Sequence, residues 1–349
     1  MSTDAKAPRS LAPIWVRAGR PELVLAPMEG VTDAPMRALL TELGGFTFCV
    51  SEFLRVSQEL LPPRIYVEHV PELAQGCRTP SGVPIQVQLL GGDEDLMARS
   101  ALRACDLGAR AIDINFGCPS KTVNRHDGGA ALLRHPSRIR SIVAAVRAAV
   151  PATIPVSAKL RLGWESMEDI YVNAEQAVLG GADWLTIHAR TKKQGYIPPA
   201  HWAYIGELRR RLGDRGVPIV ANGEIWTRED FLRCREATGC EHFMIGRGAL
   251  GDPALAHEMA RELGLPIQER SGVPGWGAAP YPFPRRPRDW EPLLARFAEI
   301  TSPVGAETYY TACRIKQWLR FATVRGDLPW FEEVKRIPDL PGIFAYLRA

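Results

Sequence analysis

The sequence predicts an α/β fold: a (β/α)8 TIM barrel followed by a small C-terminal helical domain. Three observations carry this. Eight short apolar or β-branched runs recur between residues 21 and 264, amphipathic helical stretches separate most of them, and polar residues gather where the runs end. Near-continuous apolar runs are what strands need when a parallel sheet is covered on both faces. Run starts fall 23 to 45 residues apart, which suits βα units, and eight such units fit a closed barrel. On pattern alone, a doubly wound open sheet stays open as the alternative.

The runs, in order, are Leu23–Met28, Phe46–Phe53, Ile85–Leu90, Ala111–Phe116, Val156–Leu162, Trp184–Ala189, Pro218–Asn222 and His242–Ile245. Among the intervening helices, Glu94–Leu107, Ser137–Val150, Met167–Leu179 and Arg228–Thr238 end on the turn signals Gly108, Pro151, Gly180-Gly181 and Gly239. Ser271–Arg288 holds eight Gly or Pro in eighteen residues with no period, the pattern of a linker or surface insertion. Beyond it, Glu291–Ile300, Ala306–Thr323, Trp330–Arg336 and Ile343–Leu347 read as helices. The expected divisions are an extension over 1–20, a barrel over 21–264, a Pro/Gly-rich linker over 265–288 and a helical domain over 289–349.

Composition narrows the class. A chain of 349 residues that is 46% hydrophobic and 23% charged can bury a large core and is not a disordered segment. No run of eighteen uncharged apolar residues is present, so no membrane span is expected. The first twenty residues are polar and mixed, unlike a signal peptide. Seven cysteines with no Cys-x-x-Cys spacing point to a reducing cytoplasm, with neither a disulfide framework nor a metal site. The net charge of +4 is mild, but it is uneven: residues 1–264 carry 31 basic and 30 acidic side chains, whereas Arg285–Arg325 alone carries 8 against 4.

In a barrel, chemistry collects where strands end. Here those points carry Pro27-Met28-Glu29, Ser51-Glu52, Gln88, Asn115 to Lys121, Lys159 and Arg161, His188 and Arg190, Asn222-Gly223-Glu224 and Gly246-Arg247-Gly248. Gly246 to Gly251 matches G-x-G-x-x-G, the dinucleotide fingerprint of a Rossmann unit. It closes the βα series, however, and no second βαβ half follows. The better reading is a phosphate site after the seventh and eighth strands, with backbone amides at Gly223 and Gly246–Gly248 and Arg247 as counter-charge. A mononucleotide phosphate at that place points to FMN.

Seven collinear segments then identify a family resemblance: APMEGVTD (Ala26–Asp33), VQLLG (Val87–Gly91), NFGCPSK (Asn115–Lys121), KLRLGW (Lys159–Trp164), HART (His188–Thr191), ANGEI (Ala221–Ile225) and MIGRGAL (Met244–Leu250). In order and spacing they resemble the bacterial tRNA-dihydrouridine synthases, over roughly residues 23 to 325. Arg314 to Arg320 and Glu52 to Arg55 further resemble the DusC type, the subgroup that acts on position 16 of the tRNA D-loop.

The resemblance implies an FMN enzyme that takes hydride from NADPH and reduces the C5–C6 bond of a D-loop uracil. It makes Cys118 the general acid that protonates C5, a task that suits a thiol mostly protonated at neutral pH. It places Lys159 beside the flavin ring, Gln88 at the ring's polar edge, and Pro27, Met28 and Glu29 along one side. His188 falls near the ribityl or phosphate end, with Asn222, Gly223, Glu224, Gly246 and Arg247 at the phosphate. Asn115 and Arg161 would hold the target uracil or its phosphate. Arg55, Arg314, Lys316 and the Arg285–Arg288 cluster would contact the tRNA backbone, while Trp318 reads as core. A cytoplasmic monomer without a metal is expected.

Two competing readings are an FMN oxidoreductase of a free pyrimidine, similar to dihydroorotate dehydrogenase, and a non-catalytic, flavin-containing RNA-binding chaperone. Some residues depart from the family pattern: Asn124 to Asp127 replace the usual glycines after Cys118, His188-Ala189-Arg190 replaces His-Gly-Arg, and Ser271–Arg288 has no counterpart.

Overall fold

The structure, a computed structural model, describes residues 16–125, 127–213, 216–266, 273, 283–301 and 308–349. Among them are nine strands, all paired in parallel: β1 (Leu23–Leu25), β2 (Phe48–Val50), β3 (Leu54–Arg55), β4 (Ile85–Leu90), β5 (Ile112–Phe116), β6 (Val156–Arg161), β7 (Trp184–His188), β8 (Ile219–Asn222) and β9 (His242–Ile245). β1 pairs with both β2 and β9, and β2 with β4, so the ladder closes on itself through eight strands. The predicted barrel is therefore the observed one, and the open sheet is excluded.

The ninth strand comes from the second predicted run. Its backbone leaves the ladder after Val50 because the Ser51 hydroxyl takes over: Ser51 Oγ accepts from the Gln88 amide at 3.1 Å and donates to the Glu52 carbonyl at 2.9 Å. The chain then rejoins β4 as β3, two residues long. The first run also ends early, at Leu25, because Pro27 has no N–H for a ladder and the Met28 amide turns onto Thr32 Oγ1 at 2.7 Å.

Helices cover the barrel, and local chemistry sets their ends. Asp33 caps Ala34–Leu43 by accepting from the Met36 amide at 3.1 Å, and Thr227 with Asp230 forms a reciprocal capping box at Arg228–Thr238. Side chains alternate along the strands between the helix layer and the lumen. The outward set of β5 and β6, Ile112, Ile114, Val156, Ala158 and Leu160, is wholly buried under the helices. Inside, Val24, Phe48, Trp184 and Val220 form an apolar plug. Above it the lumen turns polar.

Among the described residues, four helices follow the barrel: Pro287–Thr301, Thr308–Arg325, Phe331–Val334 and Leu340–Arg348. Their core is aromatic. Trp318 meets Trp290 and Phe297 edge-on, with ring centroids 5.8 and 5.6 Å apart, contacts worth about 1 kcal/mol each beyond area burial. Trp318 Nε1 also donates to the Leu250 carbonyl at 3.1 Å, tying this core to the short Arg247–Gly251 helix that follows β9. The expected Ser271–Arg288 insertion lies mostly outside the described residues, and so does the start of the Ala306–Thr323 helix. Pro287 and Arg288 already belong to the first tail helix. Among the described residues no helix is long and apolar enough to cross a membrane.

Candidate active site

Strand register builds the site. Gln88 lies opposite Asp113, Asp113 opposite Ser157, Asn115 opposite Lys159, Arg161 opposite His188, and His188 opposite Asn222. Opposite residues in a parallel pair project to one face, so these side chains converge in the upper lumen. They open into a cavity of about 570 Å³ at the C-terminal ends of the strands, within the range of small-molecule sites, roughly 300–1,000 Å³. All fourteen residues expected at the cofactor, the catalytic thiol and the uracil line this cavity.

A directional hydrogen-bond relay runs beneath it. Gln86 Nε2 donates to Ser157 Oγ at 2.9 Å, and Ser157 donates to Asp113. Gln88 Nε2 donates to the other Asp113 oxygen at 2.7 Å, while Gln88 Oε1 accepts from Asn115 Nδ2 at 2.8 Å. Asn115 Oδ1 then accepts the backbone amides of Gly117 and Cys118 at 2.8 and 2.9 Å. Asp113 does not stand out in the sequence: it lies inside an apolar run, and only the inward phase of that run reveals it.

Cys118 sits on the turn after β5, half-buried. Arg161 Nε donates to the Gly117 carbonyl at 2.8 Å, and Arg161 Nη1 holds Gly195 O at 2.8 Å and Thr191 O at 3.1 Å. Burial pushes the Cys118 thiol above its ordinary value, and only weaker contributions from the Ser120 backbone amide, Arg161 and Lys159 oppose it. Lys159 is pushed the other way, below the usual lysine range, by burial and by Arg161, with Asp113 opposing. His188 is held neutral, well below its ordinary value, by burial and the surrounding cations.

The far end of the cavity is cationic. Arg190, fully buried, pairs with Glu224, and Arg247 Nη2 lies 3.5 Å from the same carboxylate. Glu224 is itself in the left-handed region at φ 58°, following Gly223 at φ 115°. The Glu224 side chain thus organises two guanidiniums at the end of the cavity where the phosphate is expected. Three features fit an anionic group here. Arg190 Nη1 and His188 Nδ1 are buried without a hydrogen-bond partner. Gly223 and Gly246 keep the backbone bare where a Cβ would crowd His188 and Met28. A phosphate monoester would satisfy these donors.

Other expected RNA contacts fall elsewhere. Arg314 is only 6% exposed. Its guanidinium donates to Gly30 O and Val31 O, each at 2.8 Å, and pairs with Asp33 at 2.9 Å. In this arrangement Arg314 clasps the loop after β1, the loop that carries Pro27, Met28 and Glu29, against the tail, a different task from the RNA contact expected for it. Lys316 donates to the Ile337 carbonyl within the tail, and Arg286 pairs with Asp289. Arg55 is half-buried on β3, outside the cavity lining.

Several lining residues were not foreseen. Tyr196 lies between Arg161 and Arg247, their guanidinium carbons 5.1 and 4.7 Å from its ring centroid, and meets His188 edge-on at 6.0 Å. Trp226, Phe53 and Phe321 complete the walls. For Tyr196 and Phe321 the sequence held no signal. Among the described residues no group of three His, Cys, Asp or Glu could hold a metal ion.

A family model described as dihydrouridine synthase (Dus) matches residues 24–270. A relative from Vibrio vulnificus, named tRNA-dihydrouridine(16) synthase, is 50% identical over 330 residues, covering 93% of this chain and 96% of its own. Proteins of the same name from Pseudomonas putida and Shewanella oneidensis are each 44% identical, over 94% and 86% of this chain and 92% and 88% of theirs. With the family model matching most of the barrel and these relatives covering most of the chain, the chain belongs to the dihydrouridine synthases.

Proposed function

We propose that this protein is an oxidoreductase that reduces a D-loop uridine of tRNA to dihydrouridine, at position 16, using FMN and NADPH in the cytoplasm. One observation carries the reading: a single cavity is lined by Cys118, Lys159 and Gln88 and also by the Glu224–Arg247 pair, with the buried Arg190 behind Glu224. The coverage of the relatives extends through the basic tail, which favours RNA over a free pyrimidine.

Arg190, Arg247, Gly223 and Gly246 would hold the FMN phosphate, and Lys159 and Gln88 would face the polar edge of its ring. Bound and reduced, the flavin supplies hydride to C6 of the uracil. The chain's residues do the rest. Cys118 Sγ gives its proton to C5, and the raised thiol keeps that proton available at neutral pH. Arg161 and Asn115 fix the Cys118 turn and present donors to the uracil carbonyls, neutralising charge that builds there as C6 gains hydride. Neutral His188 adds no positive charge to a site that already holds four cations. Flipping the base out of the D-loop costs a few kcal/mol. Arg55, whose guanidinium makes no ion pair or hydrogen bond among the described residues, would help offset this at the phosphate backbone.

The test is to incubate the purified protein and NADPH with tRNA lacking dihydrouridine and to map the modified bases by mass spectrometry. Dihydrouridine at position 16 is expected. Unchanged uridine there, with flavin bound, refutes the assignment. Cys118→Ala should keep flavin and tRNA binding and lose product.

A further inference from the structure

We infer that Asp113 is a positioning residue: it fixes the amide sense of Gln88 and, through Asn115, holds the main chain that carries Cys118. The geometry leaves one consistent direction. An ionised carboxylate only accepts hydrogen bonds, so Ser157 Oγ and Gln88 Nε2 must both donate to it, as they do. That turns Gln88 Oε1 toward Asn115 Nδ2. Asn115 must then present Oδ1, its acceptor, to the two amides of the Gly117-Cys118 turn.

Reversing any member breaks two contacts at once. A flipped Gln88 would set its oxygen against the Asp113 carboxylate and its NH2 against the NH2 of Asn115. A flipped Asn115 would set an NH2 against two N–H donors. Asp113 and Gln88 are 2% and 0% exposed, and an unpaired buried polar group there is costly. The carbonyl side of the turn is held separately, by Arg161 on Gly117 O and by Ala130 N and Asn124 Nδ2 on Cys118 O. Asp113 therefore governs only the amide side of the turn. Burial raises this carboxyl to about 6, against the hydrogen bonds from Ser157 and Gln88 and the nearby Lys159 ammonium, so it is ionised at neutral pH.

The role of Gln88 at the flavin rests on the function proposed above; the hold on the Cys118 turn does not. The experiment separates them. Three full-length variants, Asp113→Asn, Gln88→Glu and the double variant carrying both, are compared with the parent protein. The apoprotein is treated with iodoacetamide, alkylation of Cys118 is followed by peptide mass spectrometry, and FMN is titrated by fluorescence quenching. Asp113→Asn keeps shape and volume but no longer dictates the direction, because the new amide can turn either its oxygen or its NH2 toward Gln88, and Cys118 alkylation should rise by up to about tenfold, the weight of one to two net hydrogen bonds. The double variant restores the direction. The amide introduced at position 113 donates to one oxygen of the carboxylate introduced at position 88, and the other oxygen of that carboxylate accepts from Asn115. Alkylation should return to within about twofold of the parent, while FMN affinity stays low because a carboxylate now faces the ring edge. Parent-like alkylation in Asp113→Asn, or no rescue in the double variant, overturns the inference. Melting temperatures separate a folding defect, which would unmask every buried cysteine together, from a local change at Cys118. If the double variant rescues alkylation yet FMN binds no variant and not the parent, the flavin reading fails and the positioning role stands.

Discussion

Arg314 offers a direct choice between two roles, an RNA contact or an internal clasp. The perturbation is Arg314→Met, which keeps the apolar stem and removes the guanidinium. Two short bonds to the carbonyls of Gly30 and Val31 and the pair with Asp33 are lost. A hydrogen bond with a charged partner contributes about 1.5–3 kcal/mol when buried. Asp33 stays partly hydrated at 23% side-chain exposure and keeps its capping bond to Met36, and Gly30 is exposed, so rehydration discounts the sum. A net loss of about 3 kcal/mol follows. With an unfolding entropy near 2.1 cal/mol/K per residue, this amounts to a fall in Tm of about 4 °C. The assays are thermal unfolding, flavin titration and limited proteolysis of the tail. The expected result is a lower Tm, weaker flavin binding because the Pro27–Glu29 loop loosens, and faster cleavage between barrel and tail, with Arg314→Lys in between. An unchanged Tm and flavin affinity combined with a tenfold loss of tRNA affinity would refute the clasp and restore the RNA contact.

Further outcomes are expected. Because burial raises the Cys118 thiol, its proton should hold through the neutral range and be lost only above the ordinary thiol value, while Lys159, lowered to about 8, gives up its proton first; a decline already below pH 7 in single-turnover measurements would remove Cys118 as the acid. Gly248→Ala puts a Cβ onto the Ile225 carbonyl oxygen, so a loss of about 2 kcal/mol in urea unfolding and a weaker hold on FMN are expected. His242, buried and lowered to about 4, binds its proton less readily folded than unfolded. Stability should therefore fall as pH drops from about 6.5 to 4, by about 3 kcal/mol at most, and His242→Gln should flatten that part of the slope, with His188 contributing the remainder in the same sense.

The barrel and the strand-end residues were legible because each motif is local: a strand, a turn and a polar side chain within a few positions. Cys118, Lys159 and Arg247 could be placed from their own segments. Arg314 could not, since a basic residue on an amphipathic helix reads the same whether it meets RNA or a half-buried aspartate 281 positions earlier in the chain. Asp113 was hidden for a related reason: one acid in an apolar run looks like an exception until the register sets Gln88 and Ser157 on either side. The break at Ser51 was invisible because a hydroxyl standing in for a ladder bond leaves the apolar pattern intact.

The Arg247–Gly251 helix has two clients. Its first residues face the cofactor cavity, while the Leu250 carbonyl at its other end receives Trp318 from the tail. Any tilt of this helix is therefore felt on both sides, and linkage makes the coupling reciprocal. If docking RNA on the tail tightens flavin binding by some factor, flavin must tighten RNA by the same factor. Protein that has shed its flavin would then also loosen its hold on tRNA, so empty enzyme would compete poorly for substrate and a flavin-starved cell would leave its transfer RNA free for the loaded fraction.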